Sequence, residues 1–195
     1  MTCIVGLVDK DENVWIGGDS AGAGGYALHI RKDPKVFKNG PFVIGGTSSW
    51  RMLQLLRYAF VPPEYYAERD KDLDRFMTVN VVNAFRECFK AGGFATSEKG
   101  QEEGGRFLVG FAGRLYFVDS DYQIGQTVCG YAAVGCGDDI AHGVLYATPD
   151  MAPRERIEMA LKAAEQHSAG VRGPWTIECL EGAKEPKKAK EEKSH

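Results

Sequence analysis

Three residues in the first part of the chain have the types and the order that one kind of hydrolysis requires. Thr2 follows the initial methionine, Asp19 closes the short run 14–18, and Lys35 precedes the apolar pair at 36–37. A threonine at a chain terminus supplies two reactive groups at once, because its hydroxyl can attack a carbonyl carbon while its own α-amine takes the proton. Thr2 is therefore a candidate nucleophile that carries its own base.

The pKa of that amine decides whether the base works at neutral pH. A free α-amine has a pKa of roughly 7.7–8.0, and a nearby ammonium group lowers it, since a like charge disfavours protonation. Lys35 supplies such an ammonium and Asp19 a carboxylate to hold it in place. Because a small second residue is what methionine aminopeptidase accepts, we expect Met1 to be removed and Thr2 to become the terminus.

The attacked carbonyl also needs a hydrogen-bond donor for its oxygen. Gly45-Gly46 follows the apolar run 42–44, and a backbone N–H at this point can be directed at the developing negative charge. Gly46 is therefore the candidate donor.

Hydrophobic periodicity predicts the elements that position these residues. Short β-type runs at 3–8 and 14–18 form an opening hairpin, the glycines of 22–25 form a loop, and residues 26–32 alternate as a strand. Residues 36–44 read as a second hairpin with an Asn-Gly turn.

Helical spacing predicts four helices, which start near Trp50, Leu73, Ile140 and Pro153. The first is expected to end at Pro62-Pro63, with the stripe that begins at Trp50 in the core. The Gly- and Glu-rich stretch 91–105 is expected to be a loop. Further strands are predicted at the ranges 107–111, 115–118, 131–134 and 175–180.

The order of these elements is strands, two helices, strands, two helices and a last strand. Such segregated runs favour an α+β fold of antiparallel sheets with helices packed outside. We expect one domain over residues 1–180. Residues 181–195 are almost entirely charged or small, so this tail is expected to be disordered.

Composition argues against several other classes of protein. The chain has 195 residues, 44% of them hydrophobic, and a formal net charge of -3, which fits a globular protein that binds no nucleic acid. No apolar stretch reaches the roughly 18 residues of a membrane span, and the N-terminus does not resemble a signal peptide. The five cysteines form no C-x-x-C pair and the histidines no H-E-x-x-H motif. We therefore predict a cytoplasmic protein without a metal or another cofactor.

The motifs taken together resemble those of proteasome β-subunits and bacterial proteasome-like peptidases. The chain has T-x-x-V-G from Thr2, then G-G-D ending at Asp19, K-V-F starting at Lys35, and I-G-G ending at Gly46. Residues 133–137, Ala-Val-Gly-Cys-Gly, are similar to that family's A-x-G-S-G segment. Each motif is weak alone, but their order and spacing extend through nearly the whole chain to about residue 180.

The resemblance implies a four-layer α-β-β-α sandwich of two antiparallel sheets with helices on both outer faces. It also implies a threonine-type endopeptidase, in which Thr2 is nucleophile and base, Asp19 and Lys35 form the supporting pair, and the N–H of Gly46 stabilises the oxyanion. Members of the family assemble into rings that enclose their sites. The expected partners are peptide or unfolded protein substrates and further copies of the chain, while an ATPase unfoldase is left open.

Two positions depart from the family pattern. Its serine near the nucleophile is here Cys136, which can still hold a weak hydrogen bond. The segment after the fourth helix, residues 165–174, lacks the family's aspartate. Ser168 is the candidate for the site hydroxyl there, and His167 for the missing carboxylate.

Three alternatives stay open beside the peptidase. The chain can be a catalytically silent ring subunit or scaffold, which retention of Met1 would favour, or an N-terminal nucleophile amidohydrolase that acts on a small amide. Residues 18–22 also satisfy the G-x-S-x-G pattern of esterases. The context argues against that reading, since Ser20 should then lie between a strand and a helix.

Overall fold

The first of the two main sheets combines strands from both ends of the chain. The computed structural model describes residues 1–24, 27–98 and 101–182. In spatial order this sheet contains β12 (Tyr131–Gly135), β1 (Cys3–Val8), β2 (Val14–Gly18) and β13 (Thr176–Leu180), all antiparallel. β1 lies inside the sheet and pairs Cys3 with Gly135. The residue before β1, Thr2, is therefore held at the end of a strand with neighbours on both sides.

The second main sheet comes from the middle of the chain. Its antiparallel strands, in spatial order, are β11 (Ile124–Gly125), β10 (Arg114–Val118), β9 (Phe107–Phe111), β6 (Phe42–Gly46) and β5 (Val36–Asn39). Two separate hairpins pair β3 (Ala21–Gly24) with β4 (Ala27–Ile30), and β7 (Thr96–Glu98) with β8 (Gln101–Glu103).

The helices lie in two groups along the chain. The first group contains α1 (Trp50–Tyr58), α2 (Leu73–Arg75), a π-helical segment (Phe76–Val81) that continues α2, and α3 (Val82–Ala91). The second contains α4 (Asp138–Ala147) and α5 (Pro153–His167). Ser49 caps α1, because its side chain accepts a hydrogen bond from the N–H of Arg51. Pro153 begins α5, where its missing N–H costs no helical hydrogen bond.

Three clusters of buried apolar side chains hold these elements together. One lies between the two sheets and contains Ile4 and Ile16 from the first sheet and Leu108 from the second. Another joins α4 and α5 to the first sheet, and the largest joins α1, the π-helical segment and α3 to the second sheet. The protein therefore has a mixed α+β fold, as the order of elements predicts.

The structure corrects several boundaries. The glycine-rich stretch after Asp19 is not a loop but the strand β3, since pairing with β4 stabilises it despite the poor strand propensity of glycine. The stretch 91–105 is not one loop, because Thr96 and Glu103 are opposite each other in the hairpin of β7 and β8. Tyr26 and residues 183–195 of the expected tail lie outside the described residues.

The first helix ends earlier than Pro62-Pro63 predicts. α1 stops at Tyr58, and the side-chain amide of Asn39 donates to the carbonyl oxygens of Leu56 and Phe60, both at 2.9 Å. These carbonyl groups at the helix end are thus satisfied by a side chain from β5 and not by a further helical turn. Trp50 is half-buried, whereas Leu53 and Leu56 behind it are in the core.

No helix within the described part of the chain has the length and apolar character needed to cross a bilayer.

Candidate active site

The side chain of Thr2 is buried and in contact with a lysine. Thr2 is 4% exposed, and the Nζ of Lys35 donates to its Oγ1 at 2.7 Å. Lys35 comes directly before β5, and its Nζ also donates to Oδ1 of Asp19 at 2.8 Å. The structure thus brings together Thr2, Asp19 and Lys35, which are far apart in the sequence.

Asp19 orients this group from the end of β2. Its Oδ1 accepts from Lys35 and from the N–H of Cys3 at 3.1 Å, and its Oδ2 accepts from the N–H groups of Ala21 at 2.9 Å and Arg172 at 3.3 Å. Asp19 is 1% exposed, so these donors replace the water that a carboxylate needs. A carboxylate fixed by four donors gives Lys35 a fixed position as well.

The ammonium of Lys35 is under two opposing influences. Burial lowers the pKa of Lys35 below its usual value, while the charge and the hydrogen bond of Asp19 raise it. Lys35 is 2% exposed, so its attraction to Thr2 and Asp19 is only weakly screened by solvent.

Cys136 and Ser168 lie on the amine side of Thr2. The N–H of Thr2 donates to Sγ of Cys136 at 3.3 Å, and this thiol is 3.4 Å from the carbonyl oxygen of Thr2 and 3.2 Å from Oγ of Ser168. With Met1 attached, the nitrogen of Thr2 belongs to a peptide bond and stands in for the α-amine that removal of Met1 would free. The thiol is placed to orient that amine.

Met1 occupies the backbone nitrogen of Thr2 and also contacts its hydroxyl. Its carbonyl oxygen accepts a hydrogen bond from Oγ1 of Thr2 at 2.5 Å. A peptide nitrogen cannot act as a base, so the hydroxyl has no neighbouring amine to take its proton while Met1 remains.

The N–H of Gly46 is engaged within the second sheet. It donates to the carbonyl oxygen of Lys35 at 3.1 Å. The next N–H, that of Thr47, donates to the carbonyl oxygen of Arg106, also at 3.1 Å. Gly46 nonetheless lines the cleft beside Thr2. A role for Gly46 as oxyanion donor stays a prediction, and it requires this N–H to exchange or share its partner when a substrate binds.

The structure does not bring His167 to the group. His167 is exposed at the end of α5, and among residues 1–24, 27–98 and 101–182 no hydrogen bond joins it to Thr2, Asp19 or Lys35. The loop after α5 contacts the site through its backbone instead, because the N–H of Arg172 donates a hydrogen bond to Oδ2 of Asp19. Glu165 fixes the same loop, because its Oε1 accepts from the N–H of Gly173 at 3.0 Å.

Ser20 has a different environment from an esterase nucleophile. It lies between β2 and β3 and not before a helix, and its Oγ donates to the carbonyl oxygen of Pro174 at 2.6 Å. Ser20 is 6% exposed. The hydroxyl therefore links β2 to the loop before β13, and the esterase pattern at residues 18–22 is accidental.

A narrow cleft opens beside Thr2. Its volume is about 90 Å³, and one wall comes from β3 and the other from the residues around the start of α1. Its lining includes the side chains or backbone of Thr2, Lys35, Gly46, Trp50 and Leu53. Within the parts of the chain that the structure describes, no group of three or more His, Cys, Asp and Glu side chains is placed to hold a metal ion.

Solved structures share this architecture over nearly the whole chain. BPH of Thiobacillus denitrificans, in complex with epoxomicin, superposes with a TM-score of 0.74 at 18% identity, covering 91% of this chain and 98% of that one. The chain has a proteasome-like fold. Eukaryotic HslV from Trypanosoma brucei superposes with a TM-score of 0.68 at 19% identity, covering 92% of this chain and 99% of that one. The resemblance expected from the motifs is thereby confirmed.

A Gly-1 mutant of Anbu from Hyphomicrobium sp. strain MC1 is also similar, with a TM-score of 0.64 at 14% identity and coverage of 93% of this chain and 82% of that one. No family model and no curated protein sequence matches the chain. The similarity to these structures therefore concerns the fold, and the chemistry must be argued from the residues of this chain.

Proposed function

We propose that this protein is a threonine-type peptidase of a proteasome-like ring, and that it hydrolyses peptide bonds with Thr2 after removal of Met1. One observation carries the proposal. The ammonium of Lys35 lies between Oγ1 of Thr2 at 2.7 Å and Oδ1 of Asp19 at 2.8 Å, and all three residues are buried. A buried ion pair whose lysine donates to the hydroxyl of Thr2 is suited to catalysis if Thr2 is a nucleophile at the chain terminus.

In the proposed mechanism, the free α-amine of Thr2 takes the proton of Oγ1, directly or through one water molecule. Oγ1 then attacks the carbonyl carbon and forms a tetrahedral intermediate. The α-ammonium returns the proton to the leaving amine as the C–N bond breaks, which leaves an ester on Thr2. A water molecule, activated by the same amine, hydrolyses the ester and restores the free hydroxyl.

Lys35 would act in two ways during these steps. Its positive charge lowers the pKa of the adjacent α-amine and so favours the neutral, basic form at pH 7. Its hydrogen bond to Oγ1 stabilises the negative charge that develops on the oxygen as the proton leaves. Asp19 keeps the ammonium in place, and Cys136 with Ser168 would orient the amine. We assign the oxyanion to the N–H of Gly46.

The proposal includes the architecture around the site. We assign the two sheets and their outer helices to a four-layer α-β-β-α sandwich, and we infer that copies of it form a ring that encloses the cleft. The five cysteines are all free, which supports the reducing cytoplasm as the place of action. Since the structure of BPH contains epoxomicin, we expect this compound to inhibit the peptidase.

Intact-mass measurement combined with peptide hydrolysis tests the proposal. The active protein should lack Met1, and Thr2→Ala should lower the hydrolysis rate by about 10²–10⁴-fold while leaving assembly intact. Lys35→Ala should have nearly the same effect, because the amine then stays protonated. Ser20→Ala is the matched control and should keep at least about half of the activity, since its hydroxyl serves the fold.

A different set of results would contradict the proposal. A protein that hydrolyses peptides with Met1 still attached cannot use the amine of Thr2. Loss of activity in Ser20→Ala but not in Thr2→Ala would assign the reaction to Ser20.

Two observations keep other functions in view. The N–H of Gly46 already has a partner in Lys35, which favours a catalytically silent ring subunit or scaffold. The cleft beside Thr2 is small, about 90 Å³ with Met1 as part of its lining, and a small space favours an amidohydrolase for small amides. An inactive ring with Met1 retained would support the first function, and hydrolysis confined to amides of single amino acids would support the second.

A further inference from the structure

The guanidinium of Arg172 binds three backbone carbonyl groups through one nitrogen atom. Its Nη1 donates to the carbonyl oxygens of Val171 at 2.7 Å, Glu165 at 3.1 Å and Ser168 at 3.4 Å. Since Nη1 has two hydrogens, one N–H is shared between two of these oxygens. The segment 165–171 contains the end of α5 and the start of the loop that leads to β13. The guanidinium therefore binds both ends of this segment and its middle.

The three oxygens need a positive partner at this point. Glu165 lies in the last turn of α5, where carbonyl groups have no partner within the helix and carry partial negative charge. The carbonyl of Ser168 also accepts from the N–H of Val171 at 3.2 Å. Without the guanidinium, three carbonyl oxygens would face one another around an unfilled centre. The shape of the segment 165–171 thus depends on the cation of Arg172.

The backbone of Arg172 is attached to the end of β2. Its N–H donates to Oδ2 of Asp19 at 3.3 Å, and its carbonyl oxygen accepts from the N–H of Ser20 at 2.9 Å. Asp19 in turn binds the ammonium of Lys35. Because backbone and guanidinium belong to one residue, Arg172 connects the segment 165–171 to the carboxylate on the hydroxyl side of the site.

Ser168 connects the same segment to the amine side. Its Oγ lies 3.2 Å from Sγ of Cys136 and 3.5 Å from the carbonyl oxygen of Cys136. That thiol accepts from the backbone nitrogen of Thr2 at 3.3 Å. Since the carbonyl of Ser168 is one of the three that Arg172 holds, the contact between Ser168 and the thiol depends on the guanidinium too.

We propose that Arg172 is a positioning residue of the peptidase, which holds Asp19 on the hydroxyl side of Thr2 and Ser168 on the amine side at a fixed separation. This inference rests on the proposed peptidase function. Within the described ranges of the chain, the guanidinium has no hydrogen bond to Thr2 and does not line the cleft, so it acts only through other residues. Its loss should therefore lower kcat and leave substrate binding nearly unchanged.

Substitutions of Arg172 in the protein without Met1 test the proposal. Arg172→Met keeps an unbranched chain without charge or donors, and it should lower kcat by about 100-fold, the cost of moving a catalytic group by about 1 Å, with KM nearly unchanged. Arg172→Lys supplies one cationic nitrogen with three N–H donors and should keep most of the kcat that Arg172→Met loses. Arg154→Met is the matched control, because Arg154 on α5 forms an exposed pair with Glu158 at 3.3 Å, and it should keep the parent kcat.

A free guanidinium ion provides a second test. Arg172→Ala leaves room beside the three carbonyl oxygens, so guanidinium chloride at millimolar concentration should raise its kcat in a saturable manner. The same salt should not raise kcat of the parent or of Arg154→Met. Tetramethylammonium chloride has the same charge but no N–H group and should have no effect. A variant that has only lost stability would respond in the opposite direction, because guanidinium weakens folding.

Several results would refute the role of Arg172. One is a folded Arg172→Met protein with the parent kcat. Another is an equal loss in Arg172→Met and Arg172→Lys, together with no gain from guanidinium in Arg172→Ala. If Arg172→Met does not fold, Arg172→Gln replaces it, since it keeps an NH₂ group but no charge, and a parent kcat in that variant would likewise refute the role.

The failure of this inference is distinguishable from that of the proposed function. If the Arg172 variants cleave peptides like the parent, in a reaction that Thr2→Ala abolishes, the peptidase stands and only the role of Arg172 is refuted. If the unsubstituted protein without Met1 cleaves no peptide, the proposed function is refuted and this inference with it.

Discussion

At the scale of single residues, Asp19 is the most constrained side chain of the site. Its two oxygens accept four hydrogen bonds, from Lys35 and from the N–H groups of Cys3, Ala21 and Arg172. Every neighbour is a donor, so an isosteric amide cannot replace the carboxylate: its NH₂ group would face either the first pair of donors or the second. The need for two acceptor oxygens explains why this position requires a carboxylate beyond any role in charge balance.

We predict that Asp19→Asn lowers the free energy of unfolding by at least about 2 kcal/mol, because two buried donors lose their acceptor at about 1–3 kcal/mol each. Urea denaturation followed by circular dichroism measures this. Asp33→Asn is the matched control, since Asp33 forms a half-exposed pair with Arg31 and should lose less than about 1 kcal/mol. Equal losses in the two variants would mean that the donors around Asp19 find other partners.

The sequence indicates the charged part of this site better than its backbone part. Thr2, Asp19 and Lys35 are recognisable because their types suit one reaction and each lies next to a predicted strand. The N–H groups of Cys3 and Arg172 leave no such signal, since every residue except proline has one. The role of Glu165 in fixing the loop at Gly173, and the position of Trp50 in the cleft wall, likewise depend on tertiary contacts.

At the scale of secondary structure, the end of β12 determines where Thr2 lies. Gly135 has φ 113, and a Cβ atom built on it would be 2.2 Å from the carbonyl oxygen of Thr2. This backbone conformation is strained for residues with a side chain, and the close approach leaves no space for a methyl group. β12 can therefore place Cys136 against Thr2 only because glycine precedes it.

Gly135→Ala should accordingly lower the free energy of unfolding by about 2–4 kcal/mol, from backbone strain and overpacking together. Gly143→Ala in α4 is the matched control, because a Cβ atom there has open space around it. This second substitution should raise stability by about 0.5–1 kcal/mol through the better helix propensity of alanine. Thermal unfolding of both variants decides the matter. A Gly135→Ala protein as stable as the parent would show that β12 can move away from Thr2.

Element prediction succeeded where side-chain periodicity is strong. β1, β2, β5, β6 and the main helices have clear apolar patterns, and they occur near the predicted positions. β3 has alanine and glycine only, so no pattern distinguishes it from a loop until its partner strand is known. The π-helical segment 76–81 buries Phe76, Met77 and Val81, and because this spacing also suits one face of a regular helix, the sequence does not distinguish the two.

At the scale of the whole molecule, an exposed apolar segment begins at the last residue of α1. Tyr58 is 76% exposed, Val61 79% and Tyr66 49%. A terminal nucleophile open to solvent would cleave without selection, so the proposed peptidase needs an enclosure. Closed homo-oligomers are the common assembly of soluble proteins, and the segment 58–66 offers apolar surface for contacts between copies.

We therefore expect light scattering after size exclusion to give a particle many times the 21.4 kDa of one chain. Val61→Asp should shift the particle toward smaller species, because a charge buried in an apolar contact is costly. Val128→Asp is the matched control, a fully exposed valine in the loop between β11 and β12. A monomer that cleaves peptides would contradict the enclosed site. If only Val128→Asp dissociates the particle, the contact between copies involves the loop between β11 and β12 and not the segment 58–66.

The strand order also has a consequence for how the chain matures on the ribosome. Thr2 is synthesised well before its neighbours in the first sheet, because β1 pairs with β12 and β2 pairs with β13, and both of these partner strands come after the whole five-stranded sheet in the sequence. The five-stranded sheet needs only residues 36–125 and can form earlier, since its contacts are closer in sequence. The N–H of Arg172 can reach Asp19 only when Arg172 itself has emerged from the exit tunnel. Under the proposed function, the nucleophile of a nascent chain would therefore not act before the segment that contains Arg172 has been synthesised, which would protect neighbouring nascent chains from cleavage.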